Sequence, residues 1–399
     1  MDRGEPGPCL RWVERGLDAE GVPKRLKVGA WWPCLDMLAE ARRRRPTGWP
    51  AALDRRIEGW VRAALRFSRP DGSAVFEPTG ASPERANLLA HWAGVLPDPG
   101  LATVIRWWFP AALRPRRGVE PAPPPLPAMA SRDRPLAMLR PDWTPNGDFV
   151  AIDQRDPGAG CRVEVTGLGV RWLGPAWGAG LDEAPMGPAR PTFWTSSPRA
   201  DCAEWSFRTP SGRITRTALL LRGRGLALLA DQVASPGPVA AVRLEVPPTI
   251  QMVPQPDTRA WALRAGRNRS ARVLPLALPA APYPTERGAL EATDHALRLR
   301  QRLEGGRCWL PLLLSWRGER HRKAVRWRIL TVSEQSRICP PSEAVAVWVA
   351  WGMEESLVIY RSLARPALRS FLGYQTKARF LVGGFTSAGN VAPLLQIEE

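Results

Sequence analysis

For proton transfer, nucleophilic attack or soft-metal binding, the chain offers three histidines, three tyrosines and six cysteines besides its carboxylates and lysines. Tyr283, Tyr360 and Tyr374 all fall in the later half, and the histidines are His91, His295 and His321. No two histidines share a metal-ligand spacing. His91 lies beside Trp92 on a helical pattern, where a packed or surface histidine is expected. His295 follows Asp294 near an expected turn. An Asp–His couple can orient a general base, but neighbours along a strand point to opposite faces. His321 sits in Arg317-Gly318-Glu319-Arg320-His321-Arg322-Lys323, which reads as a solvated hairpin tip. The cysteines are Cys9, Cys34, Cys161, Cys202, Cys308 and Cys339; none are two or three apart, so neither a zinc knuckle nor a CxxC redox pair is present. Buried thiols are the expectation, with no metal and no cofactor. Two acidic pairs, Asp182-Glu183 and Glu354-Glu355, are adjacent in sequence. Paired carboxylates hydrolyse glycosides only at the right separation across a cleft, and solvated pairs are expected. Gly167-Leu168-Gly169 lies between strands and is no phosphate loop, no Gly-x-Ser-x-Gly elbow occurs, and Asn268-Arg269-Ser270 fits a glycosylation triplet by pattern alone.

Tryptophan and arginine are the informative residues. Trp143, Trp172, Trp177, Trp194 and Trp205 gather in one region. Indole faces stack on sugar rings, and the arginine fork binds carboxylate or sulfate through two hydrogen bonds. Arg171, Trp172, Trp177, Arg190 and Trp194 are therefore the candidate ligand-binding residues. The competing reading is that tryptophan fills a β core. The net charge is +18, and of 56 basic residues only Lys24, Lys27, Lys323 and Lys377 are lysine. Arginine, proline, glycine and tryptophan share GC-rich codons, so a high-GC genome accounts for their joint excess. The charge allows a polyanion partner, acidic polysaccharide before nucleic acid, because the arginines are scattered. The one dense run, Arg42-Arg43-Arg44-Arg45, ends an expected helix, where the dipole favours cations.

The elements that must position these residues change character along the chain. Residues 31–41, 50–67, 83–95 and 101–109 carry apolar side chains at helical spacing. In 50–67 the apolar positions are Leu53, Ile57, Trp60, Val61, Ala64 and Leu65. Arg69-Pro70-Asp71-Gly72 ends that helix as a turn. Pro121-Ala122-Pro123-Pro124-Pro125-Leu126-Pro127 excludes helix and central strand and reads as a stiff connector. Beyond it the apolar period becomes two, and short strands alternate with Gly/Pro turns. Thr209-Pro210-Ser211-Gly212 is expected to join one hairpin. Strands without helices between them cannot be parallel crossovers. The reading is α+β: a helical domain 1–110, a Pro-rich connector 111–142 and an antiparallel β-sandwich 143–399. No run of eighteen apolar residues supports a membrane span. The start Met1-Asp2-Arg3-Gly4-Glu5-Pro6 has no signal pattern. A cytoplasmic chain is the default expectation, and a periplasmic one if the true start lies upstream.

The order of elements resembles the heparinase II/III-like polysaccharide lyases, whose helical toroid precedes a β-supersandwich. Locally, Arg213-Ile214-Thr215-Arg216-Thr217, followed by Leu226-Ala227-Leu228-Leu229-Ala230-Asp231-Gln232-Val233, is similar to the family's Arg-bearing strand and the Asp-bearing strand after it. Val170-Arg171-Trp172-Leu173-Gly174 resembles its early sandwich strands. The family's lyases use histidine and tyrosine in catalysis, yet the corresponding stretch here, Gly158-Ala159-Gly160-Cys161, has no histidine, and no tyrosine precedes Tyr283. The resemblance therefore implies a shortened relative without the lyase machinery, which binds carbohydrate or another protein. A lyase on uronate polysaccharide is the alternative, and a nucleic-acid binder a further one.

Overall fold

The computed structural model describes residues 8–44, 49, 51–113, 120–156, 160–179, 187–386 and 389–398. Five helices of eight or more residues open the described chain: α1 (Pro8–Gly16), α2 (Trp31–Arg44), α3 (Ala51–Arg66), α4 (Pro83–Val95) and α5 (Pro99–Trp108). In α3 the positions expected to face inward are all buried. Helix α5 starts where Asp98 accepts the Gly100 N–H and Pro99 occupies the first turn, satisfying one orphan donor with no N–H wasted.

Strands β1 (Met129–Ala130), β2 (Leu136–Leu139), β3 (Phe149–Asp153), β4 (Cys161–Gly167), β5 (Val170–Leu173), β6 (Ala176–Ala179), β7 (Arg190–Ser196), β8 (Ala200–Thr209), β9 (Gly212–Leu221), β10 (Leu226–Ala234) and β11 (Val239–Glu245) begin the sandwich. The first sheet runs β1-β2-β3-β4-β6-β11 and continues with Ala296–Arg302 and Gly288–Thr293, while β5 pairs with β4. The second sheet contains β7 to β10 and four later strands. A third, from Val325–Leu330 to Val391–Ile397, is five-stranded, and a fourth is small. Among the described residues every pairing is antiparallel, and the expected hairpin joins β8 to β9 with Thr209 opposite Gly212. Strands β1 and β2 come from within 111–142, so part of that stretch pairs into the first sheet.

The layers stack as helices, first sheet, second sheet, third sheet. In β3, Val150 and Ile152 join the core between the first two sheets, whereas Phe149 and Ala151 join the helical core. In β8, Ala203 and Trp205 face the first sheet, and Ala200 and Cys202 face the third. Strands covered on both faces lose the polar alternation of a half-buried strand, hence the apolar runs such as Phe149-Val150-Ala151-Ile152.

Candidate functional site: an arginine-lined seam between helices and sheet

Strand β4 carries Val163 and Val165 into the sandwich core, so Arg162, Glu164 and Thr166 point at the helices. Glu164 is fully buried. It accepts two hydrogen bonds from Arg69, at 2.7 and 2.6 Å, and one from the Phe76 N–H at 2.9 Å. Arg171 on β5 lies 3.7 Å from the same carboxylate and donates to the Glu77 carbonyl. Arg69 also donates to Ser73, Ala74 and Glu77. One buried carboxylate thus ties the turn after α3, the 74–79 segment and the first sheet together.

A cleft of about 710 Å³ opens beside this knot, lined by Arg69, Arg140 and Arg171 among others. Arg140 differs from its neighbours. It is 3% exposed and donates to the Ser68 carbonyl at 3.0 Å, and its Nε, like that of Arg171, has no hydrogen-bond partner. Its guanidinium lies over the rings of Phe149, Trp108 and Trp143 at 4.8, 5.1 and 5.5 Å. No carboxylate among the described residues lies within ion-pair distance of it. Burial pushes its pKa down to about 9, against the opposing pull of Glu164 and Asp142. Burial also lowers that of Arg171. The cleft carboxylates serve their own loops: Asp71 accepts from Ser73 and Gly80, and Asp142 from Thr144. No histidine, tyrosine, lysine or cysteine lines the cleft among the described residues. At the other end of β4 a hollow of about 390 Å³ gathers Lys24, Arg25, Lys27, Arg134, Arg155 and Arg162. There Asp153 is held by Arg155 at 2.8 Å, and Asp156 lies 3.6 Å from Lys27.

Of the five candidate ligand-binding residues, Arg171 alone reaches this cleft. Trp172, its neighbour, points the other way into the core and is fully buried, as adjacent strand residues must diverge. Trp177 is also fully buried, with its ring 4.2 Å from the Arg216 guanidinium and its carbonyl accepting from Arg216. Arg190 is exposed on β7, and Trp194, on the same strand, packs partly against the core. Trp143 and Trp205 are core residues. The Arg/Asp strand pair is an internal pin: Arg216 opposes Asp231 across β9 and β10 and donates two 2.9 Å bonds to it, both side chains fully buried.

His295 turns a hairpin with φ of 58°. His91 is held below its usual pKa by burial and by Arg43 and Arg42. His321 corrects the expectation of a solvated tip. It lies in a short helix (Gly318–His321) clamped by Arg272, which donates to the Arg320, His321 and Lys323 carbonyls. Burial and Arg272 lower its pKa to about 4. Glu355 is engaged by Arg320 and Glu354 by Lys323, and Asp182-Glu183 lies outside the described residues. Burial raises the thiols of Cys34, Cys161, Cys202, Cys308 and Cys339. Glu334, Cys339 and Glu343 lie close enough to share an ion, but Arg369 and Arg337 already hold the two carboxylates.

Sequence reasoning missed Arg69, Arg140 and Glu164. One signal was available: Arg-Pro-Asp occurs at 69–71 and again at 140–142, and Arg69, Asp71, Arg140 and Asp142 all line the cleft.

No family model matches the chain, and no curated protein sequence does. The fold, however, has clear counterparts. A crystal structure of the heparan sulfate lyase from Pedobacter heparinus superposes with a TM-score of 0.67 at 13% identity, covering 89% of this chain and 61% of that one. A heparinase III structure gives 0.68 at 8% identity, with the same coverage of each. This is a heparinase III-like fold, helical hairpins packed on a β-supersandwich. The chain spans about three-fifths of the length of those structures, 61%.

Proposed function

We propose that this chain is a non-catalytic relative within the heparinase III-like fold that binds an acidic polysaccharide along the seam between its helices and first sheet. The observation that carries the reading is Arg140, a buried cation that lines the cleft with no carboxylate partner among the described residues. A buried charge is costly unless paired, and an incoming carboxylate or sulfate supplies the missing partner through a charge-assisted hydrogen bond. Arg69 and Arg171 flank it and share the buried Glu164 carboxylate. Thr144, Asn146 and Thr249 offer the hydroxyl and amide groups that sugar hydroxyls require. The non-catalytic part rests on the cleft's composition: proton abstraction needs a positioned base, and its two aspartates are already committed to their loops.

The test is calorimetric titration with acidic and neutral polysaccharides, heparan sulfate first because a structure of like fold is named for it. Each polymer is followed in parallel for the ultraviolet absorbance of unsaturated lyase product. Binding of acidic polymers that survives moderate salt, without product, supports the reading. Product formation replaces it with a lyase. Equal binding of all polyanions, nucleic acid included, lost together on adding salt, reduces it to net charge.

A further inference from the structure

We infer that the polysaccharide does not end in the arginine cleft: a groove beside Trp107 takes the next ring of the same chain. This inference rests on the acidic-glycan reading of the cleft. Helix α5 buries Leu101, Val104, Ile105 and Trp108, yet leaves Trp107 half exposed on its last turn. A lone exposed indole is ordinary. This one lines a groove of about 660 Å³ together with the Pro-rich segment and Trp143.

The groove is mostly apolar in its lining, with Asp142 and Arg222 as its two charged members. Proline has no N–H, so Pro124, Pro125 and Pro127 present only carbonyls as backbone polar groups. Three are taken from the protein side: Ala122 accepts from the Thr103 hydroxyl at 2.9 Å, Pro125 from the Trp143 indole at 2.7 Å, and Leu126 from Arg66 at 2.8 Å. The Leu126 side chain stands outward, 78% exposed. Of the two charged lining residues, Arg222 is paired with Asp201, and Asp142 accepts the Thr144 hydroxyl while keeping its charge.

Continuity with the cleft identifies the occupant. Asp142, Thr144 and Pro145 line both spaces, so one exposed turn separates them. A ligand reaching from one to the other places a charged group against arginines and an uncharged face against an indole. A glycan chain meets both demands when a residue bearing a carboxylate or sulfate adjoins a ring whose C–H face is free. An aromatic wall with a few polar groups at its edge suits such an amphipathic ring.

The experiment is isothermal titration of wild type, Trp107→Ala, Trp107→Phe and Arg140→Leu with size-graded oligosaccharides of heparan sulfate and of an unsulfated uronate polymer. Trp107→Ala is expected to weaken the longer fragments about tenfold, equivalent to ~1.4 kcal/mol, and to leave single acidic sugars unchanged. Trp107→Phe should recover most of the loss, because a smaller ring keeps the stacking face. Trp107→Ala binding every length as wild type does overturns the inference, as does an equal loss at every length. A Trp107 effect that persists while Arg140→Leu changes nothing retains the groove and removes the cleft reading. A wild-type protein that binds no acidic fragment overturns both.

Discussion

Buried arginines occur in two settings in this molecule, and the contrast between them separates scaffold from site. Between the sheets they are matched. Arg216 meets Asp231 with two hydrogen bonds, stacks on Trp177, and gives its remaining amine to a carbonyl. Glu204, fully buried on β8, receives Arg361 from the third sheet, Arg379 from the bend just before that sheet's Phe380–Phe385 strand, and Thr217 from β9. Burial by itself would push the Glu204 carboxyl up, but Arg361 and Arg379 hold it below its ordinary value. At the seam, Arg69 is matched by Glu164, whereas Arg140 beside it has aromatic rings and one carbonyl. A complete pair locks two elements in register. An incomplete one stores a demand for an anion.

The largest expected effect tests the matched set. Arg216→Met leaves Asp231 buried without a cation and should cost about 3–5 kcal/mol in urea unfolding. A loss under about 1 kcal/mol would break the comparison. Next is acidification. A carboxyl held below its unfolded value, about 4.3 for glutamate, stabilises the fold above that range, and the contribution is lost as pH falls through the lowered value. The stability gap between wild type and Glu204→Gln, read from urea midpoints, should therefore hold constant from neutral pH to about pH 5 and narrow as the pH falls further.

Arg140→Leu should behave oppositely to Arg216→Met. It removes a cation with no carboxylate to strand, so unfolding free energy should stay within about 1 kcal/mol of wild type, while acidic-glycan affinity falls at least about tenfold. Large destabilisation would move Arg140 into the scaffold. The smallest effect belongs to Trp107→Ala. Its half-exposed ring should alter stability by no more than about 0.5 kcal/mol, checked by the same unfolding curves, so that any affinity change reports on the groove.

Sequence alone determined the division into helices then strands, because periods of 3.6 and 2 are local signals that survive whatever the chain packs against. It also placed the hairpin at Thr209-Pro210-Ser211-Gly212 and several helix boundaries, since turn chemistry is set within a few residues. The poverty of histidine and tyrosine was equally legible. Tertiary structure decided which face each residue serves. Arg171 and Trp172 look like one motif in a line of sequence, yet the pleat sends one to the seam and the other to the core. Arg69 and Glu164, 95 residues apart, become partners only when α3 docks on β4. Arg140 resembles any other arginine before a turn until Trp108, Trp143 and Phe149 close around it and no carboxylate of the described residues arrives. Pairing and its absence are properties of the assembled layers, so no local pattern could have revealed them.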